Sequence, residues 1–353
     1  MNIFTSNQDL FYKTTMKLYL DPEFRCKPRN IFIHEDLGFS ARINNPKDRL
    51  LFIPERHWDI VYGVGEFLWY VTGSNDLSFI QYYAPSYKMF SDDRETLYGA
   101  YGTRLFKSPS PEDTCVVNNT SYIFHVESDI RSVIRKLRID PDSRQALAVI
   151  WREHDMHVLK TKDLPCTISL QFFIRNNKLC MITNMRSNDI WLGATNDVFC
   201  FTMIQELIAS ELGIDIHFYQ HNTGSMHLYD RDIEKINNST TLFSNACVSF
   251  PMNKIDRFHE QIRHLIRYEK ELRKSDIEFQ YQSLFIKKIN NSISDGIHDL
   301  MTVLYYGKIR QIYKKDQPEL FKDMLQNKVL EEIKDSAIRE CIKIYEEDRR
   351  EKV

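Results

Sequence analysis

The stretch LPCTISLQFFIRNNKLCMITNMRSNDIWLGATNDVFC, residues 164–200, contains two runs of alternating character on either side of Asn176-Asn177. Asparagine tolerates the positive φ angles that a two-residue hairpin turn needs, so the pattern predicts two antiparallel strands. Cys166 and Arg186 should then lie near the same end of the hairpin. The sequence therefore predicts a thiol beside a cationic side chain.

A long buried helix is predicted after this hairpin. Apolar residues recur at helical spacing from Val198 to Leu212, with Asn196 or Thr195 as candidate N-cap and Gly213 as the stop. Asp197 would open the helix, where a carboxylate commonly caps free backbone amides. A further strand is expected at residues 215–219.

An ordered series of motifs resembles the core of the thymidylate synthases. The matching segments are Pro-Cys-x-x-x-x-Gln at 165–171, Arg-Ser-x-Asp-x-x-x-Gly at 186–193, His-x-Tyr at 227–229, Glu-Phe-Leu-Trp at 66–69, a tyrosine loop at 98–102 and Asp-Pro-x-Ser-Arg at 140–144. The resemblance implies an α/β (α+β) fold, with a mixed, mainly antiparallel sheet flanked by helices. It also implies a homodimer that forms through the sheet.

Three departures from the synthase pattern bear on the substrate. Synthases carry asparagine at the position of Asp197 and usually histidine at that of Thr167, whereas the deoxycytidylate hydroxymethylase branch resembles this chain at both. Gln145 stands where a second arginine would follow Arg144. The first two departures indicate a cytosine base, and the third indicates an altered phosphate and sugar end of the pocket.

The hydrogen-bonding groups of Asp197 and of the two candidate bases support cytosine as the substrate base. A carboxylic acid that holds its proton can donate to cytosine N3 and accept from the 4-amino group. An asparagine could also turn over and bind cytosine, but Asp197 adds an acidic proton that can move to N3 during catalysis. An ionised Asp197 would set acceptor against acceptor at uracil O4, which predicts discrimination against dUMP.

The resemblance implies four catalytic side chains. Cys166, as thiolate, would add to C6 of the base, and Asp197 would supply the proton. Tyr101 and ordered water are candidate acceptors for the C5 proton. Glu66 would organise water and protons in the last step, in which a hydroxymethylase adds water to the methylene on C5 and a synthase adds hydride. The one-carbon unit would come from 5,10-methylenetetrahydrofolate as co-substrate, with no metal.

Further residues are assigned to binding by the same resemblance. Arg186 and Ser187 would contact the phosphate, His227 and Tyr229 the sugar hydroxyl, and Asp189 the folate. In related dimers arginines reach the partner's phosphate site, so Arg144 and Arg29 are predicted to act across the dimer.

These features predict a folate-dependent cytidylate 5-hydroxymethylase that acts on a pyrimidine nucleoside monophosphate. Retention of Ser187 favours dCMP over CMP, the substrate of related hydroxymethylases in nucleoside antibiotic pathways. The alternatives are a thymidylate synthase or cytidylate C5-methyltransferase, which would make a methyl group and dihydrofolate, and a non-catalytic nucleotide-binding scaffold. Intact Cys166, Glu66 and Tyr101 argue against the scaffold.

Composition adds several expectations. The formal charge of −2 gives no basic footprint for nucleic acid, and no apolar run is long enough to span a membrane. The first residues lack the pattern of a signal peptide, so a cytoplasmic enzyme is expected. His154 and His157 have no third ligand nearby and are assigned to the surface rather than to a metal.

The pattern changes near residue 255. A thymidylate synthase-like catalytic domain is predicted over 1–254 and a helical C-terminal extension over 255–353, where charged residues separate apolar ones at helical intervals. These helices are expected to pack on the catalytic domain or to widen the dimer interface. Binding of another partner is the alternative.

Overall fold

A computed structural model describes residues 1–107, 115–117, 120–122, 128–237, 249–274 and 293–348. The strands are β1 Asn2–Phe4, β2 Phe24–Cys26, β3 Ile33–Ile43, β4 Cys115–Val117, β5 Thr120–Tyr122, β6 Leu147–Val149, β7 Thr167–Arg175, β8 Lys178–Asp189 and β9 Asp215–Tyr229. The α-helices are α1 Asn7–Leu20, α2 Ile60–Val71, α3 Leu77–Tyr83, α4 Tyr101–Leu105, α5 Asp129–Ile139, α6 Gly193–Leu212, α7 Asp230–Asn237, α8 Phe258–Lys274, α9 Asp295–Tyr313, α10 Pro318–Met324 and α11 Ser336–Asp348. A π-helical segment, Leu325–Leu330, continues α10.

The predicted hairpin is confirmed. Strands β7 and β8 pair antiparallel, and the pair Arg175 and Lys178 closes the turn. Asn176 and Asn177 have φ angles of 53° and 55°, as a two-residue hairpin turn requires. The long strands that leave this turn end together at the site described below.

The main sheet has the order β1-β3-β9-β8-β7-β6, with β2 also paired to β3. Two pairings are parallel, β1 with β3 and β8 with β9, and the other four are antiparallel. The prediction of a mixed, mainly antiparallel sheet is therefore confirmed. The strand expected at 215–219 is the first part of β9, which continues to Tyr229.

Helix α6 crosses between the parallel strands β8 and β9 and packs on one face of the sheet. The predicted N-cap at Asn196 or Thr195 is wrong, because the helix already begins at Gly193 after Leu192. A Cβ on Gly193 would lie 2.6 Å from Asn188 Oδ1, so glycine allows the helix to start this close to β8. Gly213 ends the helix in the left-handed conformation, as predicted. Asp197 consequently lies inside α6.

The opposite sheet face, here called the open sheet face, carries half-buried side chains. Ser40, Asn184 and Asn222 come from three neighbouring strands and form a hydrogen-bonded row: Ser40 Oγ donates to Asn222 Oδ1 at 2.9 Å, and Asn222 Nδ2 donates to Asn184 Oδ1 at 3.1 Å. Ile182 and Phe173 lie beside this row, also half-buried.

The described helices after residue 255 confirm the predicted helical character, although 275–292 and 349–353 lie outside the described residues. Their apolar side chains join the same core as the sheet and α2. Arg310 pairs with Asp59 at 2.5 Å, and Asp59 also caps α2 by accepting from Val61 N at 3.0 Å. The helices therefore pack on the catalytic part, while the domain boundary at residue 254 stays a prediction.

Candidate active site

The thiol of Cys166 lies immediately before β7, where β8 approaches it. Arg186 N donates to the Cys166 carbonyl at 2.9 Å, which fixes the end of the hairpin. The Arg186 Nη2 group is 3.6 Å from the Cys166 sulfur, and the Ser187 hydroxyl is 3.9 Å from it. The structure thus brings the predicted nucleophile, cation and hydroxyl together.

The charge state of Cys166 depends on burial, on neighbouring charges and on the Ser187 hydrogen bond, which lowers the pKa of the thiol. Burial raises the pKa of the thiol, the Arg186 guanidinium lowers it, and a negative charge on Asp197 raises it. A proton on Asp197 would remove the last of these. The reactive thiolate is therefore favoured when Asp197 is neutral.

Asp197 faces polar groups of the site instead of capping the helix. Its Oδ2 atom accepts from Asn188 Nδ2 at 3.0 Å. Burial raises the pKa of Asp197 to about 8, and the charge of Glu66 raises it as well, while the Asn188 hydrogen bond lowers it. At neutral pH the carboxyl is consequently mostly protonated. The expectation of a capping carboxylate at a helix start is wrong for this residue.

Glu66 is buried on α2 and receives several donors. Hydroxyls of Tyr62, Tyr87 and Tyr70 approach its Oε1 atom at 2.8, 2.9 and 3.1 Å. The Cys200 thiol donates to Oε2 at 3.7 Å. Burial raises the pKa of Glu66, and all four hydrogen bonds oppose this by lowering it.

Tyr101 lies at the start of α4, close to the nucleophile. Its hydroxyl oxygen accepts from Thr167 N at 3.2 Å, and its ring stacks on Phe201 with centroids 6.3 Å apart. Burial, with the charges of Cys166 and Asp197, holds the pKa of Tyr101 well above its ordinary value. Tyr101 is therefore a neutral phenol that can accept or pass on a hydrogen bond.

The residues predicted to bind sugar and phosphate lie along the ends of β8 and β9. Asp189 pairs with His227 across these strands, and the rings of His227 and Tyr229 meet edge to face with centroids 5.1 Å apart. Burial lowers the pKa of His227, and the charges of Arg29 and Arg186 lower it further. The charge of Arg29 therefore reaches His227 within one chain, and the action of Arg29 across a dimer stays a prediction.

Arg144 is not brought to this site. It is exposed, and its carbonyl accepts from Gln171 Nε2 at 3.0 Å. Gln171 lies four residues along β7 from Thr167, which corresponds to roughly 14 Å of strand. Because Gln171 pairs with Ile182, the Arg144 backbone lies at the edge of the open sheet face.

Asp189 lies at the end of β8, where its Oδ1 atom accepts from Trp191 N at 2.9 Å. Burial raises the pKa of Asp189 to about 6. The nearby Arg56 is buried and donates from Nη2 to the Leu192 carbonyl at 3.3 Å. Its Nε atom is buried without a hydrogen-bond partner among the described residues.

Several site residues were not predicted from the sequence. Tyr62 and Tyr70 stand four residues before and after Glu66, so helical spacing alone could have placed them on one face of α2. Tyr87 comes from the short 3₁₀ helix Pro85–Met89, and no sequence signal links it to Glu66. Asn188 lies inside the quoted Arg-Ser-x-Asp motif, but its contact with Asp197 depends on where α6 begins.

The described part of the chain contains neither a metal-ligand cluster nor a membrane-spanning helix. Within it, no group of three or more His, Cys, Asp or Glu side chains is placed to hold a metal ion, and the side chain of His154 is 66% exposed. None of the helices described here is both long enough and apolar enough to cross a membrane.

Comparison with known proteins gives consistent matches. The family model described as thymidylate synthase matches residues 37–281. A deoxyuridylate hydroxymethyltransferase of Bacillus phage SP01 is 32% identical over 256 residues, which are 65% of this chain and 65% of that protein. A protein of the same name from Pseudomonas phage M6 is 26% identical over 193 residues, 54% of this chain and 50% of the relative.

A thymidylate synthase of Bacillus licheniformis is 30% identical over 142 residues, 40% of this chain and 47% of that protein. This chain therefore spans less than two thirds of the length of these relatives. Among solved structures, the thermostable thymidylate synthase A of Bacillus subtilis superposes with a TM-score of 0.54 at 18% identity, covering 70% of this chain and 86% of that one. The likeness at this identity concerns the fold.

Proposed function

This chain belongs to the thymidylate synthase family, and we propose that it is a folate-dependent 5-hydroxymethylase of cytidylate, with dCMP preferred over CMP. The relatives named as hydroxymethyltransferases support the reaction type. The observation that carries the assignment of the base is the buried Asp197, whose pKa of about 8 leaves it a proton to transfer to N3, an acceptor in cytosine but not in uracil. Ser187, retained beside Arg186, supports the deoxynucleotide.

The hydrogen bond to Asn188 determines which oxygen of Asp197 carries the proton. Its Oδ2 atom accepts from Asn188, so the proton is expected on Oδ1, which becomes a donor for the ligand. Cytosine N3 is an acceptor and can take this proton fully, giving a cationic ring paired with a carboxylate. As Cys166 adds to C6, Asp197 would act as general acid at N3.

The other side chains serve this addition. Arg186 favours the Cys166 thiolate, and Tyr101 lies close enough to both Cys166 and Asp197 to feel their charges. With its high pKa, Tyr101 would relay the C5 proton through ordered water instead of keeping it. Glu66 would hold the water that completes the hydroxymethyl group.

The co-substrate 5,10-methylenetetrahydrofolate supplies the one-carbon unit when bound. Asp189 is the residue proposed to hold it, and its neighbour Arg56 supports this role. Arg56 Nε is a buried donor without a partner in the described residues, and Asp189 is a carboxyl with a pKa of about 6. Such a pair suits a heterocycle that carries both donors and acceptors.

A homodimer through the open sheet face is part of the proposal. The half-buried row at Ser40, Asn184 and Asn222 supplies polar and apolar surface for a second copy. Arg144, at the edge of that face, would reach the partner's phosphate. Arg29, whose charge reaches His227 of its own chain, is also proposed to act across the dimer.

Deoxyuridylate is the second candidate substrate. The hydroxymethyltransferases of the two phages are named for this nucleotide. A neutral Asp197 can also pair with uracil, because its carbonyl oxygen can accept from N3–H while its hydroxyl donates to O4. The two bases differ in where the proton goes, since uracil N3 already carries hydrogen.

One assay tests these assignments. The protein is incubated with methylenetetrahydrofolate and, separately, dCMP, CMP or dUMP, and the product is weighed by mass spectrometry while absorbance reports dihydrofolate. Addition of CH₂O to dCMP without dihydrofolate is expected, with Cys166→Ser as the inactive control. A methyl product with dihydrofolate would indicate a synthase or methyltransferase, and no turnover of any nucleotide would indicate a scaffold.

The same assay includes Asp197→Asn. We expect lower activity on dCMP and a higher relative use of dUMP, because asparagine has no acidic proton to give to N3. An unchanged preference between the two bases would contradict the role assigned to Asp197.

A further inference from the structure

Three tyrosine hydroxyls converge on one oxygen of Glu66. Tyr62, Tyr70 and Tyr87, here called the tyrosine triad, lie 2.8, 3.1 and 2.9 Å from Glu66 Oε1, and the hydroxyls of Tyr62 and Tyr87 are 2.9 Å from each other. Tyr62 and Tyr70 belong to the same helix as Glu66, whereas Tyr87 comes from the 3₁₀ helix Pro85–Met89. The triad is therefore assembled from two elements around one carboxyl group.

Proton counting shows which form of Glu66 this arrangement suits. An ionised carboxylate only accepts, so every hydroxyl can direct its single proton toward it or toward a neighbour in the triad. A proton on Oε1 would have to be donated to one of the hydroxyls and would displace a bond. A proton on Oε2 would face the Cys200 sulfur, which is a weak acceptor.

Asp197 has a different environment. One donor, Asn188 Nδ2, reaches its carboxyl group among the described hydrogen bonds, and the charge of Glu66 is close enough to raise its pKa. Two interacting buried carboxyls resist double ionisation and share one proton. Glu66, which receives more hydrogen-bond donors, then stays ionised, and Asp197 holds the proton.

We propose that the tyrosine triad fixes Glu66 as the ionised member of a carboxyl pair, so that Asp197 keeps the proton that the nucleotide needs. This deepens the proposed function, on which it rests. The tyrosines are positioning residues, since they act through Glu66. They thereby set the lower pH limit of the reaction. They also keep Glu66 as the base near the attacking water and Asp197 as the acid near the pyrimidine ring.

Cys200 and Asp163 also act on the Glu66 and Asp197 pair or on its tyrosine triad. From α6, Cys200 donates to Glu66 and Asp197 repels it; from the loop before β7, Asp163 acts on Tyr87. The pKa of each triad tyrosine lies well above its ordinary value, so all three remain donors across the working pH range.

The first test is the pH profile of kcat/KM for the nucleotide in Tyr87→Phe. Loss of one hydrogen bond to a charged group should raise the pKa of Glu66 by about one unit, so the acidic limb should move up by about one pH unit. KM at the pH optimum should change less than about twofold, because Tyr87 acts through Glu66. An acidic limb that stays at the wild-type position would overturn the proposal.

Tyr83→Phe is the matched control. The Tyr83 ring packs against Gly65, one residue from Glu66, but its hydroxyl donates to Glu269 at 2.8 Å. This variant removes a hydrogen bond between a tyrosine and a glutamate close to Glu66, but it leaves the contacts of Glu66 and Asp197 in place. Its pH profile should match that of the wild type.

A second measurement does not depend on turnover. Protein labelled with ¹³C at glutamate carboxyls is titrated by NMR, and the Glu66 signal is identified by its loss in Glu66→Gln. The Glu66 pKa should rise by about one unit in Tyr87→Phe and stay unchanged in Tyr83→Phe. Should Tyr87→Phe fail to fold, Tyr62→Phe replaces it. An unshifted Glu66 rejects the triad, whereas an inactive wild-type protein with a shifted Glu66 rejects only the assigned reaction.

Discussion

Asp197 shows how far single residues can be predicted. The motifs place Cys166 and Arg186 together, and the structure confirms this contact because it depends only on hairpin geometry. A proton on Asp197 could be expected from the needs of cytosine, but the raised pKa that keeps it there could not be predicted in the same way. It results from burial and from the charge of Glu66, which comes from a helix more than a hundred residues earlier in the chain.

Arg186→Gln should reduce the acidity of Cys166. The guanidinium, 3.6 Å from the sulfur, lowers the pKa of the thiol, so its removal should move the pH profile of Cys166 alkylation by iodoacetamide to higher pH. Mass spectrometry of the Cys166 peptide measures the rate. Arg175→Gln, at the other end of the same hairpin, is the control and should leave the profile in place. A shift of equal size in both variants would contradict this role.

Asp197→Asn should alter the pH dependence of stability. The folded pKa of Asp197 is about 8 and the ordinary value is 3.8, so between these limits the unfolded state releases a proton that the folded state keeps. The free energy of unfolding contributed by this group is therefore greatest below pH 3.8 and declines up to about pH 8. The variant lacks this decline.

Urea unfolding at several pH values measures the effect. The stability of Asp197→Asn relative to the wild type should improve steadily as pH rises through this window. Asp142→Asn, whose side chain is 96% exposed, is the control and should show no such trend. A constant difference between Asp197→Asn and the wild type at every pH would show that Asp197 does not titrate as described.

Among the elements, those whose limits depend on local chemistry were predicted well. The Asn176-Asn177 turn and the Gly213 stop follow from positive φ angles. The start of α6 was predicted four residues or less too late, because it depends on the close contact of Gly193 with Asn188. The parallel pairing of β8 with β9 was not predicted, since strand neighbours depend on the crossover of α6.

Asn177→Ala should destabilise the hairpin turn. Asn177 is exposed and has a φ angle of 55°, a conformation that costs alanine about 1 kcal/mol relative to residues that tolerate it. The free energy of unfolding should fall by about this amount. Asn177→Gly is the matched variant and should be as stable as the wild type or more so. Equal losses in both variants would indicate a side-chain contact of Asn177 instead.

At the scale of the whole molecule, the sequence predicted the fold class and the helical character after residue 255, since both follow from motifs and periodicity. It did not predict how closely the extension joins the catalytic part. Gly307 on α9 packs against Val61 on α2, and a Cβ at Gly307 would lie 2.4 Å from Val61 Cγ1. Such a contact between distant segments leaves no local pattern.

Gly307→Ala should destabilise the protein by about 1–3 kcal/mol through overpacking against α2. Val61→Ala removes the methyl groups that the new Cβ would meet, so the double variant Gly307→Ala/Val61→Ala should recover part of the loss. Denaturant unfolding of the four proteins measures the coupling. Additive losses would show that the two residues do not share this contact.

The ion pair between Arg310 and Asp59 joins residues 251 positions apart in the chain. During translation at about 5–20 residues per second, the amino-terminal end of α2 would wait roughly 10–50 s for this partner to be made. The helix that carries Glu66 therefore acquires this ion pair only after most of the polypeptide has left the ribosome. Nascent chains that stop short of α9 would leave the ribosome with Asp59 unpaired and the α2 surface uncovered.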